Sequence, residues 1–294
     1  MNNKFRSGYV AIAGAPNAGK STLLNKLLGT KISITSSKPQ TTRNRILGVV
    51  NHPESQIIFL DTPGVHKTTA KLNARLVETA LSAIGDVDVV LLMIDVSCPD
   101  ISSEQYLVEK LKNQKLPVIL ALNKTDKVKN PVLLTYIDNW SRAYDFKSII
   151  PISAKHGDQV DTLLKEIDKQ LPSGPSLFPE DVLTDLPERF FVAEMVREKV
   201  FRLTGQEIPY SVAVTIDQYT TKKDLAKIYA TIHVERDSQK GIIIGKKGAK
   251  LKQIGEDSRR EIERMLGMRV FLKLFVRVQK NWSRDTKAIR NFGV

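Results

Sequence analysis

A chain of 294 residues, 41% hydrophobic and 26% charged, has room for one large domain or two ordinary ones, and no stretch is apolar enough to span a bilayer. Its formal net charge of +13 by itself fits no more than a solvated basic surface, while a single cysteine, Cys98, excludes an internal disulfide and points to a reducing compartment. Met1–Arg6 leads into the first strand with no signal-peptide pattern, and the four histidines lack zinc-ligand spacing.

Tyr9 to Ala13 reads as a strand, and Thr22 to Leu28 as a helix closed by Gly29. Between them Gly14-Ala15-Pro16-Asn17-Ala18-Gly19-Lys20-Ser21 has the spacing G-x-x-x-x-G-K-S. Glycines in such a loop let backbone N–H groups turn inward on phosphates, and the helix start adds a favourable dipole. Lys20 can reach the β and γ phosphates, and Ser21, beside Thr22, can ligate Mg²⁺. A strand at Gln56–Leu60 runs into Asp61-Thr62-Pro63-Gly64, or D-x-x-G, with the carboxylate near the metal and the Gly64 N–H near the γ-phosphate. Gln40-Thr41-Thr42-Arg43 lies between these loops; one of its threonines is the expected second Mg²⁺ ligand, and Thr42 is favoured over Thr41.

Further strands are read at Val87–Ile94, Pro117–Leu122 and Ser148–Ile152, with helices at Ser102–Gln114 and Gln159–Leu171. The Pro117–Leu122 strand ends in Asn123-Lys124-Thr125-Asp126, or N-K-x-D. Guanine presents its N1–H and N2 amine side by side, and Asp126 can accept both. Adenine would leave that carboxylate unpaired, which costs orders of magnitude in discrimination. Lys124 can cover the base, Asn123 can tie this loop to the first, and a backbone N–H of Ser153-Ala154-Lys155 can meet guanine O6. Five such elements in order, at strand ends, imply a P-loop GTPase domain with a mostly parallel α/β sheet. Lys20, Thr42, Asp61 and Gly64 are its expected catalytic positions. Where many GTPases place a water-orienting glutamine after D-x-x-G, this chain has Val65, so slow intrinsic hydrolysis is expected.

From Pro172 to Pro187 the chain is rich in Pro, Gly and Ser, a linker or a strapped-down connection. Residues 1–172, 173–187 and 188–294 are therefore the expected G domain, linker and second domain. The last of these reads as a helix at Glu188–Leu203, strands at Tyr210–Tyr219 and Lys227–Glu235, a helix ending near Met265, a strand at Arg269–Val278 and a basic tail. Arg236–Val294 alone carries 16 Lys/Arg against 6 Asp/Glu, which concentrates the polyanion signal there. Within it, Gly245-Lys246-Lys247-Gly248 forms a G-x-x-G quartet whose glycines would admit a nucleic-acid backbone. Lys246, Lys247, Lys250 and Lys252 can meet phosphates, Gly241 and Ile244 are counted with them as RNA-binding, and the adjoining apolar surface, Ile242 to Ile244 with Leu251 and Ile254, would be partly core and partly a groove for bases. The element order fits a smaller α+β domain, the type II KH fold, so single-stranded RNA is the favoured polyanion and an anionic membrane the second.

Together G-A-P-N-A-G-K-S, Q-T-T-R, D-T-P-G, N-K-T-D, S-A-K and the C-terminal G-K-K-G resemble the Era family of ribosome-associated GTPases over nearly the whole chain. The resemblance implies a factor that uses GTP, GDP and Mg²⁺ and binds small-subunit (16S) ribosomal RNA near its 3′ end. It implies a role in late assembly of the 30S subunit, in the cytoplasm, with peripheral contact at the inner face of the cell membrane. GTPases with G-x-P-N-x-G-K-S often hold a monovalent cation through that asparagine, which implies K⁺ at Asn17. The alternative is a membrane-associated signalling GTPase whose basic C-terminal domain binds anionic lipid. No apolar interface seam stands out, so a monomer is expected.

Overall fold

The computed structural model describes residues 5–34, 43–65, 71–204, 208, 212–285, 288, 289 and 292, the side chains of 71–76, 79 and 284 excepted. A first unit ends at Asp185 and a second begins at Leu186. In the first, β1 (Arg6–Gly14), α1 (Lys20–Leu28), β2 (Ile46–His52), β3 (Ser55–Asp61), α2 (Lys71–Gly85) and β4 (Val89–Asp95) lead to α3 (Ile101–Lys112). Then follow β5 (Val118–Asn123), α4 (Asn130–Ala143), β6 (Ser148–Ile152) and α5 (Val160–Gln170).

These strands form one six-stranded sheet in the order β2-β3-β1-β4-β5-β6, parallel except where β2 runs against β3. Every residue of β3, β4 and β5 is buried, as strands covered on both faces require. In α5 the buried residues Val160, Leu163, Leu164 and Ile167 recur with the helical period and turn one stripe to the sheet. The sequence reading had placed no element at β2, α2 or α4. In β2 the apolar run is interrupted by Gly48, where a side chain would stand 2.7 Å from Leu24 and 2.8 Å from Leu28. α4 has no fully buried residue, so its apolar stripe is diluted.

Residues beyond Pro172 run back over the first unit. Ser7 Oγ donates to Pro175 O at 2.5 Å, and Val49 N on edge strand β2 donates to Leu183 O at 2.9 Å. The buried Gln56 amide accepts from Leu177 N and Phe178 N at 2.7 and 2.8 Å and donates to Phe178 O at 2.8 Å. Much of the stretch read as 173–187 is therefore strapped down.

The second unit comprises α6 (Glu188–Leu203), β7 (Ala213–Lys222), β8 (Leu225–Val234), α7 (Asp237–Ile244), α8 (Ala249–Leu266) and β9 (Arg269–Val278). β8 is central, antiparallel to β7 and parallel to β9. Val196, Val200, Ile232, Ile243 and Ile254 meet in its core. Charges enter that core in pairs: Lys199 of α6 bonds Glu261 of α8, and Arg202 Nη2 lies 2.5 Å from the buried Glu198. The segment read as a basic tail is anchored where described. Trp282 is fully buried, Ser283 Oγ donates to Glu235 Oε1 at 2.7 Å, and Phe292 stacks 4.5 Å from His233.

Candidate functional site

The loop between β1 and α1 is built by close backbone approach. A side chain at Gly14 would stand 2.4 Å from Met93 O, and one at Gly19, whose φ is 101°, 2.2 Å from Asn123 Nδ2. One at Gly64 would stand 2.7 Å from Pro16 Cα, so the D-x-x-G turn lies directly on the first loop. Val65 N donates to Gly14 O at 3.1 Å, which fixes that approach, while the Val65 side chain is fully buried in the core. Lys20 is buried and donates to Gly14 O and Ala15 O at 3.1 and 3.0 Å. Burial lowers its ammonium to about 8, against the opposing pull of Asp61.

Ser21 Oγ donates to Asp61 Oδ2 at 2.6 Å, so both expected metal ligands meet at the start of α1. Thr62 turns its hydroxyl away to Ile12 O at 2.9 Å, and Pro63 is buried. Two residues absent from the sequence reading complete the cluster. Ser33 Oγ donates to the same Asp61 oxygen at 2.9 Å, and Asn25 of α1 accepts from Ser33 N at 2.8 Å and donates to Ser33 O at 2.6 Å. Thr41 and Thr42 lie outside the described residues.

The base-facing loops converge from β5 and β6. Asn123 Nδ2 donates to Ala18 O at 2.7 Å and its Oδ1 accepts from Ala154 N at 3.0 Å, which ties three loops together. Asp126 is exposed; Ser153 Oγ donates to it at 2.7 Å, and that hydrogen bond holds its carboxyl below the usual range. Lys155 is exposed beside it. Lys124, at φ 65°, pairs with Asp95 at the end of β4, a residue the sequence reading missed. Strand register sets Asp95 beside Asn123, which no linear motif reveals.

In the second unit, α7 ends at the G-x-x-G quartet. Gly245 has φ 70° and packs on Lys250, whose Cβ lies 2.7 Å from where a side chain would start; Gly248 has φ 80° and open space around it. Lys247 also takes a left-handed backbone, φ 51°, and Lys246 and Lys247 are both exposed. A groove of about 410 Å³ runs from Gly248 between α8 and β9, lined by Leu251, Lys252, Gly255, Leu272 and Leu274 among others. Of the positions read as RNA-facing, Gly248 and Lys252 line this groove, whereas Gly241, Ile244, Gly245, Lys246, Lys247 and Lys250 do not. Leu251, read as part of a groove for bases, lines it as well, whereas the β9 wall, Leu272 and Leu274, was read only as part of a strand at Arg269–Val278.

A family model described as a 50S ribosome-binding GTPase matches residues 9–124, and one described as a KH domain matches residues 207–283. GTPase Era of Geotalea uraniireducens is 52% identical over 291 residues, 99% of this chain and 98% of that protein. GTPase Era of Geobacter metallireducens is 52% identical over 294 residues, 99% of each. Among solved structures, an Aquifex aeolicus Era variant bound to GDP and AlF4⁻ has a TM-score of 0.93 at 45% identity, covering 98% of this chain and 99% of that one. Era in complex with MgGDPNP and nucleotides 1506–1542 of 16S ribosomal RNA has a TM-score of 0.94 at 45% identity, with the same coverage.

Proposed function

The chain belongs to the Era family of GTPases, and on that premise we propose that it binds GTP with Mg²⁺, hydrolyses it to GDP and phosphate, and binds 16S ribosomal RNA near its 3′ end during late assembly of the small subunit. The observation that carries this reading is one chain holding both a cluster of nucleotide loops, three of them tied together by Asn123, and an open G-x-x-G groove, alike to GTPase Era over 99% of its length.

In this reading Asp126, pre-set by Ser153, accepts from guanine N1–H and the amine, and a backbone N–H of the Ser153–Lys155 loop meets O6. Lys20 exchanges the Gly14 and Ala15 carbonyls for phosphate oxygens, and the Gly64 N–H meets the γ-phosphate. Ser21 and Asp61 offer the hard oxygens that Mg²⁺ prefers, with Thr42 as further ligand, and the ion neutralises phosphate charge when bound. K⁺ is assigned to Asn17, exposed at the loop tip; equal turnover in K⁺ and Na⁺ buffers would remove that assignment. Because Val65 is apolar and buried, it orients no water, and intrinsic turnover is slow; fast single-turnover hydrolysis by the protein alone would overturn this.

RNA spanning nucleotides 1506–1542 is the first ligand to test, with GDP and with GDPNP, against a Gly245→Asp control. Tight binding lost in the variant supports the reading. Nucleotide binding with no affinity for this RNA overturns it. The protein is assigned to the cytoplasm as a monomer, with peripheral contact of its basic second unit at the inner membrane face, which cosedimentation with anionic liposomes would detect. Among the described residues no helix is long and apolar enough to cross a membrane.

A further inference from the structure

Helices cover one face of the β7-β8-β9 sheet. On the other, alternation along β9 brings Phe271, Lys273, Phe275 and Arg277 to the surface, with Phe271 47% and Phe275 42% exposed. Register sets Lys227, Tyr229 and Thr231 of β8 beside Phe271, Lys273 and Phe275. The Tyr229 and Phe271 rings lie 6.0 Å apart, and the Lys273 ammonium stands 5.3 Å from the centre of the Phe275 ring. The acid on this face, Asp217, is taken up by the hydroxyls of Thr231 and Thr215 at 2.6 and 3.2 Å. Beyond Arg277 the face is closed where Phe292 meets His233.

Two exposed phenylalanines on one sheet face call for a partner. Here the rings alternate with cations, the composition of a single-stranded nucleic-acid platform: flat rings take bases, and flanking Lys and Arg take phosphates. Phe271 and Phe275 are about 13 Å apart along the strand at ~3.3 Å per residue, with Tyr229 on the neighbouring strand. Position supports the same ligand. β9 is an edge strand, and its Lys273 also lines the G-x-x-G groove on the opposite side. An RNA strand leaving the groove needs only to round that edge to reach the rings.

We infer that the outer face of this sheet is a second RNA surface, where Phe271 and Phe275 stack unpaired bases of RNA continuing out of the groove. The inference rests on the RNA-binding reading above. Its test uses the full chain and two fluorescent RNAs: a short single strand sized for the groove, and the same strand extended by unpaired nucleotides. Phe271→Ala with Phe275→Ala should weaken the extended RNA about tenfold or more, since each base–aromatic stack is worth roughly 1–3 kcal/mol, while binding of the short RNA is unchanged. Lys227→Gln with Lys273→Gln should lower the salt slope by about 1.4, at roughly 0.7 per phosphate contact on single strands. Ultraviolet crosslinks of the extended RNA should map to Tyr229, Phe271 or Phe275. Equal affinity of the phenylalanine variant for the extended RNA, or its loss of a dimer in sedimentation, overturns the inference. Failure of the unaltered protein to bind the short RNA counts against the groove reading, and the phenylalanine comparison on the extended RNA still decides this one.

Discussion

In the loops around Lys20 a side chain on Gly14, Gly19 or Gly64 would strike Met93, Asn123 or Pro16 at 2.4, 2.2 and 2.7 Å, whereas one on Gly241 or Gly248 would meet nothing within 4 Å. The first region uses its glycines to pack loop against loop. In the second, Gly241 and Gly248 face open space, while Gly245 packs on Lys250, whose Cβ would stand 2.7 Å from an added side chain. A small ligand is enclosed by loops that already fix one another, while a polymer needs a groove the chain leaves open.

The largest effect that tests this contrast is on stability and nucleotide together. Gly64→Ala should reduce GDP affinity at least 100-fold, about 2.7 kcal/mol, in a fluorescent-nucleotide titration, because Pro16 backbone cannot give way. Gly241→Ala, exposed inside α7 with nothing to strike, should raise stability in urea denaturation by up to about 1 kcal/mol. If Gly64→Ala leaves GDP binding intact, or Gly241→Ala destabilises the protein, the contrast fails. The cores differ as well. The middle of the first sheet is apolar along β4 and β5, from Val89 to Ile94 and from Val118 to Leu122, whereas the second unit buries Lys199 against Glu261. Glu261→Ala should destabilise the second unit by about 1–3 kcal/mol, since it leaves the buried Lys199 ammonium only the more distant Glu198 carboxylate at 3.8 Å, as read from its own denaturation transition.

A comparable effect, present only at higher pH, belongs to Glu104 at the start of α3. Burial raises its carboxyl from 4.5 to about 7. A raised acid contributes stability below its unfolded value and loses it as pH climbs through the folded one. Glu104→Gln should therefore gain up to about 3 kcal/mol above pH 7, since the ~2.5 tenfold steps in proton affinity are worth roughly 1.4 kcal/mol each, and gain nothing near pH 4.5. A pH-independent difference would refute the assignment. The smallest signal is a proton. With Lys20 near 8, phosphate binding should draw the ammonium to full charge and take up about half a proton at pH 8. Calorimetry in buffers of different ionisation enthalpy would measure it, and proton release would contradict the sign.

What could be read from the linear chain was what keeps a fixed spacing of residue types at the ends of strands and helices: the loops at Gly14, Asp61, Asn123, Ser153 and Gly245. Asn25, Ser33 and Asp95 carry no such mark. Each is a common polar residue whose role appears only when the helix, loop or neighbouring strand is folded beside it. The β9 wall of the groove was hidden for the opposite reason. Leu272 and Leu274 alternate as any half-buried strand does, and only the edge position of β9 turns them towards a ligand. β2 and α4 escaped because a glycine and a thinly buried face dilute their periodicity.

The strap across β2 bears on how the protein can be cut. A fragment stopped after Pro172 would uncover the edge of β2, leave Val49 N–H without Leu183, and take from the buried Gln56 amide oxygen its Leu177 and Phe178 donors. Such a bare edge invites pairing with another copy. A fragment stopped after Asp185 carries its own cover, so soluble expression of the first unit should depend on those thirteen residues more than on any side chain in its active loops.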